Sequence, residues 1–234
     1  MIDHVNKLIF IHIPRTGGSS IEHALVDKDW GHIDADGNDQ FFLKHITAEE
    51  ARRVYMKEWK DYAKFSVVRN PWDKAVSDYL WSTHRFETYS NIHSFEQFVK
   101  TPPEKAFSAL ELNRAYKWGI PQTYWLTPTC PYWMEVHPDD KMCQVPGWND
   151  YVDLPSHMLG HNEISILRFE NLEREFYDYC KYHIGIEPGD VVLPHTNNME
   201  RPHYSTYYTT DEMVDCVARW YKIDIDNFNY TFDR

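Results

Sequence analysis

LIFIHIPRTGGSSI, residues Leu8–Ile21, is the most informative stretch of this 234-residue chain. An apolar, β-branched run typical of a buried strand leads through a Pro-Arg-Thr-Gly-Gly turn into a helix-like pattern. Because Gly17 and Gly18 permit positive φ and close backbone approach, the N–H groups and the dipole of the helix start can surround an anion. Arg15 adds a planar fork of donors. The stretch therefore predicts a site for a phosphate or sulfate group.

A second strand–loop–helix pattern follows at residues 64–80. KFSVVR (Lys64–Arg69) is rich in β-forming residues, and Asn70 and Pro71 supply an N-cap and a first helical position. As in the first pattern, a basic residue lies near the end of the strand. This alternation predicts an α/β fold, a P-loop-like three-layer arrangement with a central parallel sheet flanked by helices and with ligands at the strand C-terminal ends.

The other elements are predicted from their caps and from apolar spacing. Thr47 and Glu50 match a capping box at the start of a short helix. Asn171 is the predicted cap of a helix that ends at Gly185. The remaining segments are a polar loop at 29–41, a largely helical stretch at 94–118, an unassigned aromatic stretch at 119–160, a strand at 164–169 and a final helix at 210–221. No stretch has the composition of a linker, so residues 1–234 are expected to form a single domain.

The charge and hydropathy of the chain limit the classes of partner that it is expected to bind. Lys and Arg number 24 against 36 Asp and Glu, which gives a net charge of −12. Such an average field repels nucleic acid and highly sulfated polymers, so an anionic ligand needs a local basic pocket. No segment approaches the roughly 18 continuous apolar residues of a membrane span, and the first strand begins too early to follow a signal peptide. We expect a cytoplasmic protein with no nucleic-acid or membrane partner.

Cysteine and histidine spacing gives no sign of a metal site. The four cysteines are Cys130, Cys143, Cys180 and Cys216, and none of them forms a CxxC pair. Reduced, packed thiols are expected, with a Cys130–Cys143 bridge as the alternative. The 13 histidines include no HExxH pattern, so we expect neither a structural nor a catalytic metal.

Taken alone, the glycine turn is only moderately specific. The nucleoside-triphosphatase loop has the pattern GxxxxGK[ST], whereas here Gly17 and Gly18 are adjacent and no Lys-Ser/Thr pair follows. This difference disfavours a P-loop kinase or nucleotidase that uses ATP, which is kept as the alternative enzyme. A nucleotide-binding module without catalysis is the alternative of another class.

Two motifs together carry a family resemblance. PRTGGSS at 14–20 and VVRNPWDKAVSDY at 67–79 resemble the sulfotransferases that use 3′-phosphoadenosine 5′-phosphosulfate (PAPS), particularly the carbohydrate sulfotransferase branch. In that family the first motif, usually PKTGGTS, surrounds the 5′-phosphosulfate, and the second binds the 3′-phosphate. The resemblance implies metal-independent transfer of the sulfuryl group of PAPS to a hydroxyl, or less often an amine, by in-line attack.

The resemblance also implies roles for individual residues. It places Arg15, Thr16, Gly17, Gly18, Ser19 and Ser20 on the 5′ side and Arg69 and Ser77 on the 3′-phosphate. Arg15 stands where the family usually has Lys, and its charge and bidentate donors suit both binding and catalysis. For Arg69 the alternative is a surface ion pair with Asp73, and for Ser77 it is a solvent-facing helix position.

A histidine between the two motifs is the candidate general base. KHITAEEA at 44–51 resembles a His-bearing segment of the family, which implies that His45 removes the proton of the acceptor hydroxyl. An imidazole with a pKa near 6.5 suits that step. Glu22, Glu49 and His12 are weaker candidates, and His12 is expected to pack inside the first strand.

The resemblance continues toward the C-terminus. ILRFENLEREF at 166–176 resembles the family's third strand and helix, and residues 195–209 with the closing DIDNFNYTF resemble its C-terminal loop and tail. It implies that Arg201 closes over the nucleotide, with an ordinary surface arginine as the alternative.

The acceptor is the part of the reaction on which the sequence says least. Tyr124, Trp125, Trp133 and Trp148 are expected to pack in the core, with a wall of the acceptor pocket as the alternative. The aromatic content and the acidic charge favour a small or neutral hydroxylated molecule, or a saccharide, as acceptor.

Overall fold

The centre of the fold is a small, mostly parallel sheet. The computed structural model describes residues 1–26, 44–85, 92–101, 120–126, 163–187, 189–196 and 200–234. The strands are β1 (Ile2–Asp3), β2 (Leu8–Ile11), β3 (Ala63–Val68) and β4 (Ser165–Arg168). They lie in the order β1-β2-β3-β4, with β1 antiparallel to β2 and the other pairs parallel. The antiparallel β1 was not predicted, whereas the three parallel strands confirm the prediction.

The strand register sets where the loops meet. On one side of β3, Ile11 pairs with Ser66, and on the other side Val68 pairs with Arg168. All three parallel strands therefore end at the same edge of the sheet, and the segments that follow them lie close together there.

Helices cover both faces of the sheet. They are α1 (Gly18–Val26), α2 (Ala48–Val54), α3 (Glu58–Asp61), α4 (Pro71–Arg85), α5 (Phe95–Lys100), α6 (Gln122–Trp125), α7 (Leu172–Ile184), α8 (Asp211–Trp220) and α9 (Lys222–Phe228), with 3-10 turns at Phe169–Asn171 and Tyr204–Tyr207. Because neighbouring strand residues point to opposite faces, Phe10 packs in a cluster with Phe176 of α7, while Ile11 packs in another with Trp72 of α4. The predicted three-layer α/β architecture is confirmed.

Local capping follows the sequence prediction at two helix starts. The Thr47 backbone N–H donates to Glu50 at 2.8 Å, and the Glu50 N–H donates to the Thr47 hydroxyl at 3.2 Å, so the capping box is present. Helix α4 begins at Pro71, and the Trp72 N–H donates to the Asn70 side chain at 3.0 Å. Such bonds satisfy N–H groups that the first helical turn leaves without partners.

Two other predictions need correction. Asn171 makes no side-chain cap bond to any described residue, because it ends a 3-10 turn and its φ and ψ of −124° and 22° lack the extended cap geometry. His12 does not pack inside the first strand, because β2 ends at Ile11 and His12 is the first residue beyond it. Gly185 does end α7, with a φ of 69°. The predicted helix at 210–221 is confirmed as α8, which Thr210 caps, whereas the α9 that follows it was not predicted.

Several aromatic and cysteine predictions fall within the described residues. Tyr124 and Trp125 are buried in the core, as expected. Cys180 and Cys216 are buried free thiols, which confirms the prediction for these two. Outside the described residues lie Cys130, Cys143, Trp133, Trp148, the loop at 29–41 and most of 94–118 and 119–160. Within the described part of the chain, no helix is long and apolar enough to cross a membrane.

Candidate functional site

An open cavity of about 930 Å³ lies at the carboxyl edge of the parallel strands. The segments that follow β2, β3 and β4 all contribute to its wall, together with the loop that precedes the last two helices. Its lining includes eight of the residues singled out in the sequence, namely Arg15, Gly17, Gly18, Ser19, Ser20, Arg69, Ser77 and Arg201. Thr16 and His45 are not among the described residues that line it.

Close packing accounts for both glycines of the turn, and backbone conformation also requires the one at Gly17. Gly17 has a φ of 88°, and a Cβ added there would lie 2.8 Å from Leu172 Cδ2. A Cβ on Gly18 would lie 2.2 Å from His12 Cδ2. Helix α1 begins at Gly18, which lines the cavity together with Ser19, so the N-terminus of the helix is at the cavity wall. This arrangement favours an anion.

Two hydroxyls of the first motif hold the chain together around the turn. The buried Thr16 hydroxyl donates to the Ile13 backbone oxygen at 2.8 Å. The Ser20 hydroxyl lies 3.0 Å from the Thr196 hydroxyl and accepts from the Thr196 backbone N–H at 3.2 Å. Thr16 thus braces the turn, and Ser20 attaches the C-terminal loop to the start of α1.

Arg69 is buried in the cavity wall and held on three sides. Its Nε donates to Asp73 Oδ2 at 2.7 Å, and its Nη1 donates to the Arg15 backbone oxygen at 2.9 Å. Its guanidinium carbon lies 3.9 Å from the centroid of the Phe169 ring. Burial lowers the pKa of Arg69, and the Asp73 carboxylate opposes that shift. The ion pair with Asp73 therefore forms, but in a buried site and not on the surface.

Asp73 is shared by two arginines. Arg201, from the loop before the Tyr204–Tyr207 turn, also donates to the Asp73 carboxylate. Burial acts to raise the pKa of Asp73, but Arg69 and Arg201 together hold it below its ordinary value. One carboxylate therefore faces two guanidiniums, and Glu170 adds a second negative charge close enough to act on the pKa of Arg69. The described lining of the whole cavity has four Arg side chains and five Asp or Glu side chains, so the local basic pocket, which the net charge of −12 made necessary for an anionic ligand, stays a prediction.

The side chain of Arg15 connects the two motifs. Its Nε donates to the Ser77 hydroxyl of α4 at 3.2 Å, and its guanidinium lies 5.7 Å from the Trp81 ring. Ser77 is only 6% exposed, so the alternative of a solvent-facing helix serine is wrong. Arg15, Ser77 and Arg69 all line the same cavity.

His12 lies against Gly18 of the glycine turn and is buried in the cavity wall. Its Nδ1 lies 2.5 Å from Glu22 Oε1, and Glu22 Oε2 lies 3.1 Å from Lys44 Nζ. His45 donates from Nδ1 to the His12 backbone oxygen at 3.0 Å, and the two imidazole centroids are 4.4 Å apart. Sequence reasoning placed His12 inside the strand because its neighbours are apolar.

The structure also shows the surroundings of Glu49 and Phe169, which the sequence pattern did not indicate. Glu49 forms ion pairs with Arg52 and Arg53 of its own helix and is not among the described residues that line the cavity. Phe169 supports the Arg69 guanidinium and lines the cavity. Its position directly after the third parallel strand was the available signal, since that edge binds ligands in such folds. No group of three or more His, Cys, Asp or Glu among the described residues could hold a metal ion.

Comparison with known proteins identifies one family. A family model described as the sulfotransferase family matches residues 1–231. No curated protein and no solved structure matches the chain.

Proposed function

We propose, since this chain belongs to the sulfotransferase family, that it transfers the sulfuryl group of PAPS to a hydroxyl of an acceptor molecule. The observation that carries the proposal is the convergence of both motifs on one cavity, where Arg15, Arg69 and Ser77 meet the glycine turn. We also propose a single sulfotransferase domain over residues 1–234, which the extent of the family match supports.

The cavity residues fit a nucleotide that bears two anionic groups. Glycine at both positions lets the turn pack closely against Leu172 and His12, and both glycines line the cavity. Four arginines line the cavity wall, and three of them, Arg15, Arg69 and Arg201, come from segments that the resemblance assigns to the nucleotide, whereas Arg174 does not. When bound, PAPS supplies an activated sulfuryl group on its 5′-phosphate.

Two parts of the wall would bind the two ends of the nucleotide. The amides of Gly18 and Ser19 and the Arg15 side chain would hold the 5′-phosphosulfate, with Thr16 and Ser20 bracing that loop. Arg69 and Ser77 would hold the 3′-phosphate, and Arg201 would close over the nucleotide. Because Arg15 donates a hydrogen bond to Ser77, the side chain that would hold the 5′-phosphosulfate also contacts a residue that would hold the 3′-phosphate.

The chemical step needs a base and a rigid anion site. We propose that His45 takes the proton of the acceptor hydroxyl while the acceptor oxygen bonds to sulfur in line with the departing 5′-phosphate oxygen. The bond from sulfur to that phosphate oxygen breaks, and adenosine 3′,5′-bisphosphate leaves with the electron pair. Arg15 stabilises the charge that develops, so the work of the protein is positioning and electrostatic stabilisation. His12, which contacts the His45 ring and lines the cavity whereas His45 does not, is the second candidate for the base.

The acceptor is proposed as a hydroxylated small molecule or a saccharide. Arg69 and Arg201 lie against Asp73 in the proposed nucleotide part of the wall, whereas the chain as a whole carries a charge of −12. A neutral acceptor avoids repulsion by that average field. Reaction without a metal ion and a cytoplasmic location stay predictions.

Titration calorimetry of the purified chain tests the proposal. We expect adenosine 3′,5′-bisphosphate to bind without metal and Arg69→Ala to weaken that binding strongly, toward the affinity for adenosine 5′-monophosphate, after which PAPS can be offered to a panel of hydroxylated acceptors. A preference for ATP with Mg²⁺ would contradict the proposal and support the kinase alternative. Binding of the bisphosphate with no transfer to any acceptor would support a nucleotide-binding module.

A further inference from the structure

A buried glutamine holds the backbone of Arg69. The Arg69 backbone N–H donates to Gln122 Oε1 at 2.8 Å, and Gln122 Nε2 donates to the Arg69 backbone oxygen at 2.8 Å. Gln122 is 0% exposed, so both bonds are shielded from water. The side-chain amide of Gln122, which has one donor and one acceptor edge, pairs with Arg69 much as a peptide group would.

This pairing begins where the sheet ends. Strand β2 pairs with β3 only as far as Ser66, and β4 pairs with it as far as Val68. Arg69 is the next residue, and its N–H and C=O groups are buried with it. Buried backbone groups need partners, and Gln122 supplies both of them. The Gln122 side-chain amide therefore continues the backbone hydrogen bonding of the sheet by one residue, to Arg69 in the cavity wall.

Gln122 is itself anchored by the C-terminal helix. Asp224 of α9 accepts from the Gln122 backbone N–H at 2.7 Å with Oδ2, and from the Thr123 N–H at 2.8 Å and the Thr123 hydroxyl at 2.7 Å with Oδ1. Asp224, Gln122 and Thr123 are all 0% exposed. Because each bond in such a network restricts the next, the position of Gln122 depends on Asp224.

We propose that Gln122 is a positioning residue for the 3′-phosphate site, that it acts through the backbone of Arg69, and that Asp224 fixes it in place. The inference rests on the proposed function, in which the Arg69 guanidinium binds the 3′-phosphate. The side chain of Arg69 is already directed by Asp73 and by the Arg15 backbone oxygen. Gln122 holds the backbone of Arg69, so the side chain that carries the guanidinium extends from a fixed position. Small displacements of a charged donor weaken binding, which gives this second anchor a function.

The test compares two nucleotides that differ only in the 3′-phosphate. Affinities of adenosine 3′,5′-bisphosphate and adenosine 5′-monophosphate are measured by calorimetry for the wild-type chain, Gln122→Met, Arg69→Ala and the double variant. We expect Gln122→Met to weaken the bisphosphate about tenfold, as coupled neighbours do, and the monophosphate far less. In the Arg69→Ala background the same substitution is expected to change neither affinity.

A control in the same cluster separates positioning from loss of stability. Asn227 donates to the Thr123 hydroxyl at 3.3 Å and makes no described bond to Arg69. Asn227→Ala is therefore expected to lower thermal stability while leaving the ratio of the two affinities unchanged. If Gln122→Met does not fold, Gln122→Asn takes its place, because it keeps the amide but is one methylene too short to make both bonds.

Two results would overturn the inference. One is an unchanged ratio of the two affinities in the Gln122 variant, and the other is an equal effect of the substitution with and without Arg69. A wild-type chain that does not distinguish the two nucleotides would instead contradict the proposed function, and that result requires no variant.

Discussion

Arg69 donates a hydrogen bond from Nη1 to the backbone oxygen of Arg15 at 2.9 Å, across 54 positions of sequence. Arg15 has a φ of 65°, an uncommon value for a residue other than glycine, and this bond helps to hold it there. The two sequence motifs therefore form one structural unit, in which the guanidinium of the second supports the loop of the first.

Replacement of Arg69 by lysine tests whether its fork geometry matters in addition to its charge. Lys keeps the charge but cannot donate in a fixed plane to both Asp73 and the Arg15 oxygen while stacking on Phe169. We expect Arg69→Lys to weaken adenosine 3′,5′-bisphosphate about tenfold or more in calorimetry, a loss typical of one charge-assisted bond. Arg174→Lys, an exposed arginine of the same wall, is the control, and equal effects of the two would contradict the prediction.

Loss of the proposed base should lower turnover and leave nucleotide binding unchanged. We expect His45→Ala to reduce kcat by roughly 10²–10⁴-fold, the range of general base catalysis, with the affinity for adenosine 3′,5′-bisphosphate preserved. His12→Gln, measured in parallel, is the comparison, because His12 contacts the His45 ring and itself lines the cavity. A drop of less than about tenfold for His45→Ala with a large drop for His12→Gln would assign the base to His12.

Gly18 is expected to tolerate no side chain, for a steric reason alone. Its Cβ would lie 2.2 Å from His12 Cδ2, whereas a Cβ on Gly185 has open space among the described atoms. We expect Gly18→Ala to lower the free energy of unfolding by about 1–3 kcal/mol or more, as overpacking does, and to impair nucleotide binding. Gly185→Ala, strained only by its φ of 69°, should cost about 1–2 kcal/mol and leave binding unchanged. Urea unfolding and calorimetry measure the two effects, and full binding by Gly18→Ala would contradict the prediction.

Asp73 should contribute stability that is lost in acid. Arg69 and Arg201 hold its pKa below the ordinary value despite burial, so its contribution is fully present above the unfolded pKa of about 3.9 and disappears as pH falls through the lower folded pKa. We therefore expect the difference in free energy of unfolding between wild type and Asp73→Asn to be largest near pH 7 and to shrink below about pH 4. Urea unfolding across that range measures it.

An exposed aspartate supplies the control for that experiment. Asp226 pairs with Lys222 on the surface, where both side chains are more than half exposed. Exposed pairs of this kind contribute little to stability, so Asp226→Asn should change the free energy of unfolding only slightly at any pH. A difference for Asp73→Asn that stays constant with pH would show that Asp73 does not act through its charge.

The features that were predicted correctly depend on near neighbours in sequence. The parallel strands follow from apolar runs, the capping box joins Thr47 to Glu50 three residues away, and Gly185 ends its helix by its own φ. The incorrect local predictions have the same origin. Asn171 has a residue type that suits a cap, but the preceding 3-10 turn imposes another backbone geometry. His12 lies among apolar neighbours, yet the strand ends one residue earlier.

The fold class and the choice of Arg15, Arg69 and Ser77 as candidates for one site could be predicted from short windows of sequence, because strand ends and helix starts are encoded there. The way in which those residues are held depends instead on contacts between distant parts of the chain. Asp73 meets Arg201 across 128 positions, and Gln122 meets Arg69 across 53 and Asp224 across 102. The physical reason is that a buried polar group must find its partner in space, and distance along the chain does not specify which partner folding will bring to it.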